Sequence, residues 1–365
     1  MRDPNSGMGF LYAAAVLASA LLLCVVAARS NSSGSANASA DRIKVTPDES
    51  ARRVDVSIDG KPFTSYIWPD SLAKPVLYPL RSATGTIVTR GFPLEPRPGE
   101  RVDHPHHAGL WFNYGNVNGF DFWNNSTAIK PEDAPKMGSI FHRTIVSRAN
   151  GSDRGELVVD ADWITGKQQL VLKEHTRFIF RGDAKFRSID RITTLQAQSE
   201  KVVFNDDKEG LLGMRVARAL EMPSDKAEVF TDANGRPTPV AKMDNNGVNG
   251  KYLTSEGKTG DAAWGTRGRW CILTAKVGDD PVTIAILDHP KNPGSPTYWH
   301  ARGYGLFAAN PLAPKIFTDG KAPSMNFTLE PQQTVTFRFR VLILPKITTA
   351  ADAEANYKSF VAAVD

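Results

Sequence analysis

The sequence predicts an all-β protein, a large antiparallel β-sandwich followed by one C-terminal helix. Three observations carry this expectation. First, apolar and polar residues alternate over strand-length runs. Leu157, Val159, Ala161 and Trp163 interleave with Glu156, Asp160 and Asp162, and Val335, Phe337, Phe339, Val341 and Ile343 interleave with Thr334, Thr336, Arg338 and Arg340. A period of two places one set on a core and the other in water, as a half-buried strand requires. Second, turn signals punctuate the chain: Asp59-Gly60, Asn150-Gly151, Asn234-Gly235 and Asn245-Asn246-Gly247. Third, only residues 349–364, rich in alanine and charge, read as a convincing helix. Many strands with little helix point to sheet packed on sheet.

The N-terminus reads as an address, not as fold. Residues 11–28 are an apolar run after a short segment whose charges are Arg2 and Asp3. We therefore expect a signal peptide over residues 1–28, or an uncleaved anchor, since such a run approaches the length of a membrane span. Residues 29–41, rich in Ser, Asn and Ala, are expected to be a flexible linker. The expected location is exported and periplasmic, with any membrane contact made only through residues 11–28. Beyond the leader the one remaining cysteine is Cys271, which has no second thiol to pair with. Its neighbours Trp270, Ile272 and Leu273 place it in a buried strand. No repeat or linker interrupts residues 42–346, so they are expected to form a single domain, with the helix in residues 347–365. Residues 223–263 are polar and turn-rich and read as a long loop. The net charge of +5 is spread along the chain with acidic and basic residues interleaved, so no nucleic-acid partner is expected.

Three clusters carry chemistry. Asp103-His104-Pro105-His106-His107 holds three of the chain's seven histidines. In an extended segment, His104 and His106 would share a face and His107 would point away. Imidazoles placed so can ligate a metal or move a proton near neutral pH; the plain alternative is a polar turn. The second cluster is Asp206-Asp207-Lys208-Glu209-Gly210 before the apolar Leu211 and Leu212. It can set a carboxylate at a cleft mouth with a lysine to tune it, or be a solvated turn. The third joins Asp288-His289 to Tyr298-Trp299-His300-Ala301-Arg302-Gly303-Tyr304. Aromatic faces mixed with fixed donors suit a sugar, and Trp123 is a further stacking candidate. The same aromatics also serve as core. Phosphate-cradling glycine loops, dinucleotide fingerprints and a nucleophile elbow are missing from the sequence.

These segments, in this order, resemble the PmoA-like family of secreted bacterial proteins, which carries the label methane oxygenase. The matching stretches are residues 74–80, Val88-Thr89-Arg90, Asp103-His104-Pro105-His106-His107, residues 117–123, Lys208-Glu209-Gly210, and residues 298–311. They span about residues 70–345. Position 108, where the family often has a larger polar residue, is Ala108 here, so one ligand contact is expected to be missing. The membrane subunit that shares the label has several spans, whereas this chain has one apolar N-terminal segment, so the label is not taken as the function. The family looks related to the aldose 1-epimerase, or galactose mutarotase-like, β-supersandwich, and the resemblance implies a small-molecule carbohydrate as partner.

The leading expectation is a periplasmic enzyme using acid–base chemistry on an aldose-like ring, by epimerisation, hydrolysis or elimination. Glu209 is the candidate base and His106 or His107 the acid. Lys74, Tyr78, Arg90, Asp103, Trp123, Lys208, Trp299 and Arg302 are the candidate substrate-binding residues. One divalent metal ion is a conceivable cofactor, held by His104, His106 and His300. A non-catalytic sugar-binding sandwich and a histidine-ligated metal oxidoreductase stand as alternatives.

Overall fold

The structure is a computed structural model that describes residues 41–242 and 244–363. The leader expected over residues 1–28, and all but the last residue of the linker, lie outside them. Among the described residues two large antiparallel sheets dominate. The first has nine strands in the order Ile43–Asp48, Arg53–Ile58, Lys61–Ile67, Val76–Leu77, Leu110–Tyr114, Gly210–Arg215, Leu306–Asn310, Thr297–Ala301 and Arg267–Gly268. The second has eight: Lys251–Thr254, Trp270–Val277, Asp280–Asp288, Thr334–Leu344, Phe186–Ala197, Leu170–Asp183, Gly155–Thr165 and Gly138–Ala149.

The alternation read from sequence decides which residues lie between the sheets. Gly155–Thr165 has a strict two-residue burial rhythm, with Leu157, Val159, Ala161 and Trp163 inside. Phe337, Phe339, Val341 and Ile343 join the same core, together with Phe112, Leu212 and Phe307 from the nine-stranded sheet. Each such large side chain contributes roughly 1.5–3 kcal/mol by leaving water. Cys271 is buried there as a free thiol.

The expected terminal helix is Ala350–Ala363. Thr349 and Asp352 cap it reciprocally, each side chain meeting the other's backbone N–H. It lays Ala353, Tyr357 and Phe360 on Trp270, Leu287 and Leu342, on the outer face of the eight-stranded sheet. Residues 223–263 differ from the expected loop. They hold a hairpin, Glu228–Thr231 with Pro237–Val240, and the strand Lys251–Thr254. Short, polar strands with proline hide the two-residue rhythm on which strand recognition depends.

Two glycines fix close approaches near the site. Gly109 has φ +60°, and a Cβ there would lie 2.3 Å from the Leu77 carbonyl oxygen. Gly213 sits opposite Trp111, and a Cβ would lie 2.5 Å from that indole. The bare backbone at Gly213 is what lets Trp111 lie flat across the neighbouring strand.

Candidate functional site

The polar candidates gather on the face of the nine-stranded sheet that points away from the sandwich core. Leu110, Phe112 and Tyr114 belong to that core, so Trp111 and Asn113 between them face outward. By the same rule Trp299 and Ala301 point inward and His300 outward. Strands Gly210–Arg215 and Thr297–Ala301 flank Leu306–Asn310 on its two sides. This order brings Glu209, at the head of the first, to His300 on the second.

Glu209 Oε1 meets Lys208 Nζ at 2.9 Å, and its Oε2 lies 3.8 Å from His300 Nδ1. Burial raises the Glu209 carboxyl above its ordinary value, against the pull of the Lys208 ammonium. For Lys208 the balance is reversed. Burial alone would lower it, but the hydrogen bond and charge of Glu209 win and hold it as an ammonium. The His300 ring is pushed down to about 3, first by burial and then by the cations Arg302 and Lys208. Its buried Nδ1 has no hydrogen-bond partner. A carboxyl that holds its proton more tightly than usual thus faces an imidazole that stays neutral. Groups whose surroundings push their proton affinities in opposite directions are the pattern of acid–base sites.

Beside this pair, the Tyr304 ring stacks on His104 with centroids 5.3 Å apart, and the Arg215 guanidinium lies 4.8 Å from the ring centre. Burial raises the Tyr304 phenol, and the charge of Glu209 adds to that. Tyr304 therefore joins the Glu209 pair to the histidine motif.

The histidine motif is organised around Asp103. Its Oδ1 accepts from both Arg90 and Arg215, the latter at 2.6 Å, and its Oδ2 meets His104 Nδ1 at 2.8 Å. Burial would raise this carboxyl, but His104, Arg215 and Arg90 outweigh it and hold it far below the carboxylate range. The segment is not extended, as the sequence reading assumed. His104 has φ +44°, and the His107 N–H bonds back to the His104 carbonyl at 2.9 Å. All three imidazoles consequently cluster, with centroids 4.3 to 5.6 Å apart.

Several expected roles change with this geometry. His107 is 2% exposed, with Trp123 Nε1 and Arg215 Nη1 each 3.2 Å from its two ring nitrogens. Burial and cationic neighbours keep it neutral, so it is no proton donor. His106 is lowered to about 2, first by burial and then by Lys74, His104, Arg90 and Arg215; it too lacks the proton an acid needs. The imidazole beside Glu209 is His300, not His106 or His107.

Trp299 and Trp123 are both 0% exposed, Trp299 in the core and Trp123 against Trp111 and His107, so neither is a sugar platform. Tyr78 is buried, its hydroxyl taken up by Glu95 and Arg97. Arg90 is buried, and its Nη1 and Nη2 donate to Asp103 and to the carbonyls of His104 and His107. Asp103, with its two arginines, is a scaffold for the motif. Arg302 is half-buried, its guanidinium 5.1 Å from the centre of the Trp264 ring. Lys208 stays half-buried on Glu209.

His104, His106 and His300 do not form a metal-ligating set; among the described residues no group of three or more His, Cys, Asp or Glu side chains does. Lys74, Arg90 and Arg215 surround His106 with positive charge, which opposes a cation there.

Arg215 escaped the sequence reading. It ends the apolar run 210–215 and is 0% exposed, yet it touches Asp103, His107 and Tyr304. A lone arginine in an apolar strand was the available signal, since a buried guanidinium requires partners.

The architecture and site define an antiparallel β-sandwich with a tuned carboxyl–imidazole pair on one sheet face. The chain belongs to a family of unknown function, DUF6807, whose model matches residues 53–358. No curated protein matches it significantly. Among solved structures it is similar to a galactose mutarotase-like protein from Clostridium acetobutylicum, with 11% identity and a TM-score of 0.39, covering 83% of this chain and 98% of that one. It is also similar to galactose 1-epimerase from Lactobacillus acidophilus, with 11% identity and a TM-score of 0.40, covering 84% of this chain and 100% of that one.

Proposed function

We propose that this protein acts on a small carbohydrate by acid–base chemistry, with Glu209 as the group that moves the proton. The observation that carries this reading is the position of Glu209, held between the Lys208 ammonium at 2.9 Å and the buried, unsatisfied His300 Nδ1 at 3.8 Å. Glu209 keeps 16% of its side chain exposed and can reach a ligand, whereas His300 keeps 2% and cannot. In its ionised form Glu209 takes the proton from a sugar hydroxyl. Lys208 donates a hydrogen bond to the oxygen on which charge develops. His300 is a positioning residue; it orients Glu209 and excludes water behind it. The His104–Tyr304 stack supplies aromatic surface beside the carboxylate.

The finer likeness to PmoA-like proteins, carried by Asp103-His104-Pro105-His106-His107 and Lys208-Glu209-Gly210, belongs to this proposal. An oxygenase reading is not favoured, because Lys74, Arg90 and Arg215 act on His106 as positive charges and oppose a cation there. Export to the periplasm is proposed from the composition of residues 11–28.

The simplest reaction of this type is interconversion of sugar anomers. Polarimetry over a panel of reducing aldoses and their uronic acids tests it. The wild type is expected to accelerate at least one of them. His300→Ala, which admits water behind Glu209, is expected to move the acid limb of the rate profile to lower pH while circular dichroism stays unchanged. A wild type with no effect on any sugar in the panel contradicts this reaction; sugar binding without turnover would leave a binding module.

A further inference from the structure

Lys74 is a buried cation without a counter-ion. Its side chain is taken into the protein, the residue being 4% exposed, and Nζ donates to the His106 carbonyl at 2.8 Å. The ammonium also lies 5.5 Å from the centre of the Trp111 ring. Among the described residues no carboxylate reaches ion-pairing distance; Asp121 acts on it only from further away. The Asp121 oxygens are already engaged by Asn124 and by the backbone N–H of Trp123. A cavity of about 200 Å³ opens beside Lys74, lined also by Leu72, His106, Asn125, Ser126 and Thr127. The buried Nε2 of His106 has no partner.

We infer that the cavity between Lys74 and His106 seats the carboxylate of a sugar acid. The carboxylate part stands on this geometry alone; the sugar part rests on the function proposed above. An isolated buried ammonium costs several kcal/mol unless an anion or hydrogen bonds compensate it. Lys74 has one carbonyl for three N–H donors and no ion pair among the described residues, so its ammonium form has donors left for an anion that enters the cavity. The nearby charges that act most on His106 are Lys74, His104, Arg90 and Arg215, all cations or groups that become cations, so the local field favours a negative group. Lys74 is the one lysine or arginine that lines the cavity, and its single charge matches a carboxylate better than the nearly double charge of a phosphate monoester. The hydroxyls of Ser126 and Thr127 and the amide oxygen of Asn125, whose Nδ2 is spent on Gly138 and Ser139, are suited to the hydroxyls beside such a carboxylate. Burial lowers the Lys74 ammonium to about 7, with Asp121 pulling the other way. The empty site is thus partly deprotonated at neutral pH, and anion binding must draw in a proton.

Calorimetry on the full chain at pH 7 tests this, with glucuronate, galacturonate, glucose, galactose, acetate and inorganic phosphate as titrants. The uronates are expected to bind at least about ten-fold more tightly than the matching neutral sugars, the size of a charge-assisted hydrogen bond. Heats in buffers of different ionisation enthalpy are expected to show proton uptake. Lys74→Met is expected to abolish both the preference and the uptake. Equal affinity for uronates and neutral sugars overturns the inference; so does tighter binding of phosphate, and so does acetate binding as tightly as the uronates. Should Lys74→Met fail to fold, the wild-type comparison still decides. Glu209→Gln separates this inference from the catalytic reading. A uronate preference with turnover unaffected by Glu209→Gln would retain the seat and reject the catalytic role, and Glu209-dependent turnover with no such preference would do the reverse.

Discussion

Glu209→Gln is expected to lower turnover by about 10²-fold or more while leaving sugar affinity within a few-fold of wild type. Glutamine keeps the shape and one acceptor oxygen, so the Lys208 contact of 2.9 Å can persist, but the side chain can no longer take a proton. The loss therefore falls on the chemical step, and kcat drops with KM nearly unchanged. Steady-state kinetics paired with calorimetric binding separate the two quantities. A large rise in KM at constant kcat would make Glu209 a binding residue. Unchanged kinetics would remove it from the site.

Asp103→Asn is expected to cost about 3–5 kcal/mol of stability, seen as a lower urea midpoint, because it leaves Arg90 and Arg215 buried with no shared counter-charge. Arg90 is 1% exposed and Arg215 0%, and both bond to the same Asp103 oxygen. The sign of the pH dependence follows from the depressed carboxyl. The folded state holds Asp103 ionised far below the unfolded value of about 3.9. Its contribution is therefore complete above that value and is lost progressively as pH falls below it. The wild type should lose more stability than Asp103→Asn between about pH 5 and about pH 3. A change within about 0.5 kcal/mol in the neutral-pH midpoint would show that the motif does not depend on this carboxylate.

The sandwich was legible because half-buried strands announce themselves by parity. Gly155–Thr165 and Thr334–Leu344 carry one residue set for the core and one for the other face, and the structure follows that division. Parity alone fails where both faces of a strand are covered. All five residues of Thr297–Ala301 are buried, so nothing in Tyr298-Trp299-His300 tells which side chains enter the core. Trp299 does, and Tyr298 instead stacks on Phe317 outside it. The chemistry of Lys208 and Glu209 was legible from charge massed before an apolar strand. Its partner was not, because His300 reaches Glu209 only through the strand order, with Leu306–Asn310 between their strands. The histidine motif was legible as a cluster but not in its conformation. Reading it as extended assigned alternate faces, and the left-handed backbone at His104 folds the rings together instead.

The dependence of kcat/KM on pH, measured from about pH 4 to pH 9, tests the central claim most directly, since it reports the ionisations of the free protein. With a neutral aldose as substrate, which makes no demand on the Lys74 ammonium, a single acid limb is predicted, with its midpoint above the ordinary glutamate value of about 4.3, because burial raises the Glu209 carboxyl. No further step is predicted near the ordinary histidine value, since His300 stays neutral down to about 3. The limb should vanish from whatever activity remains in Glu209→Gln. A limb centred near the ordinary histidine value, or one that persists unchanged in Glu209→Gln, would contradict the assignment of Glu209 as the proton-transfer group.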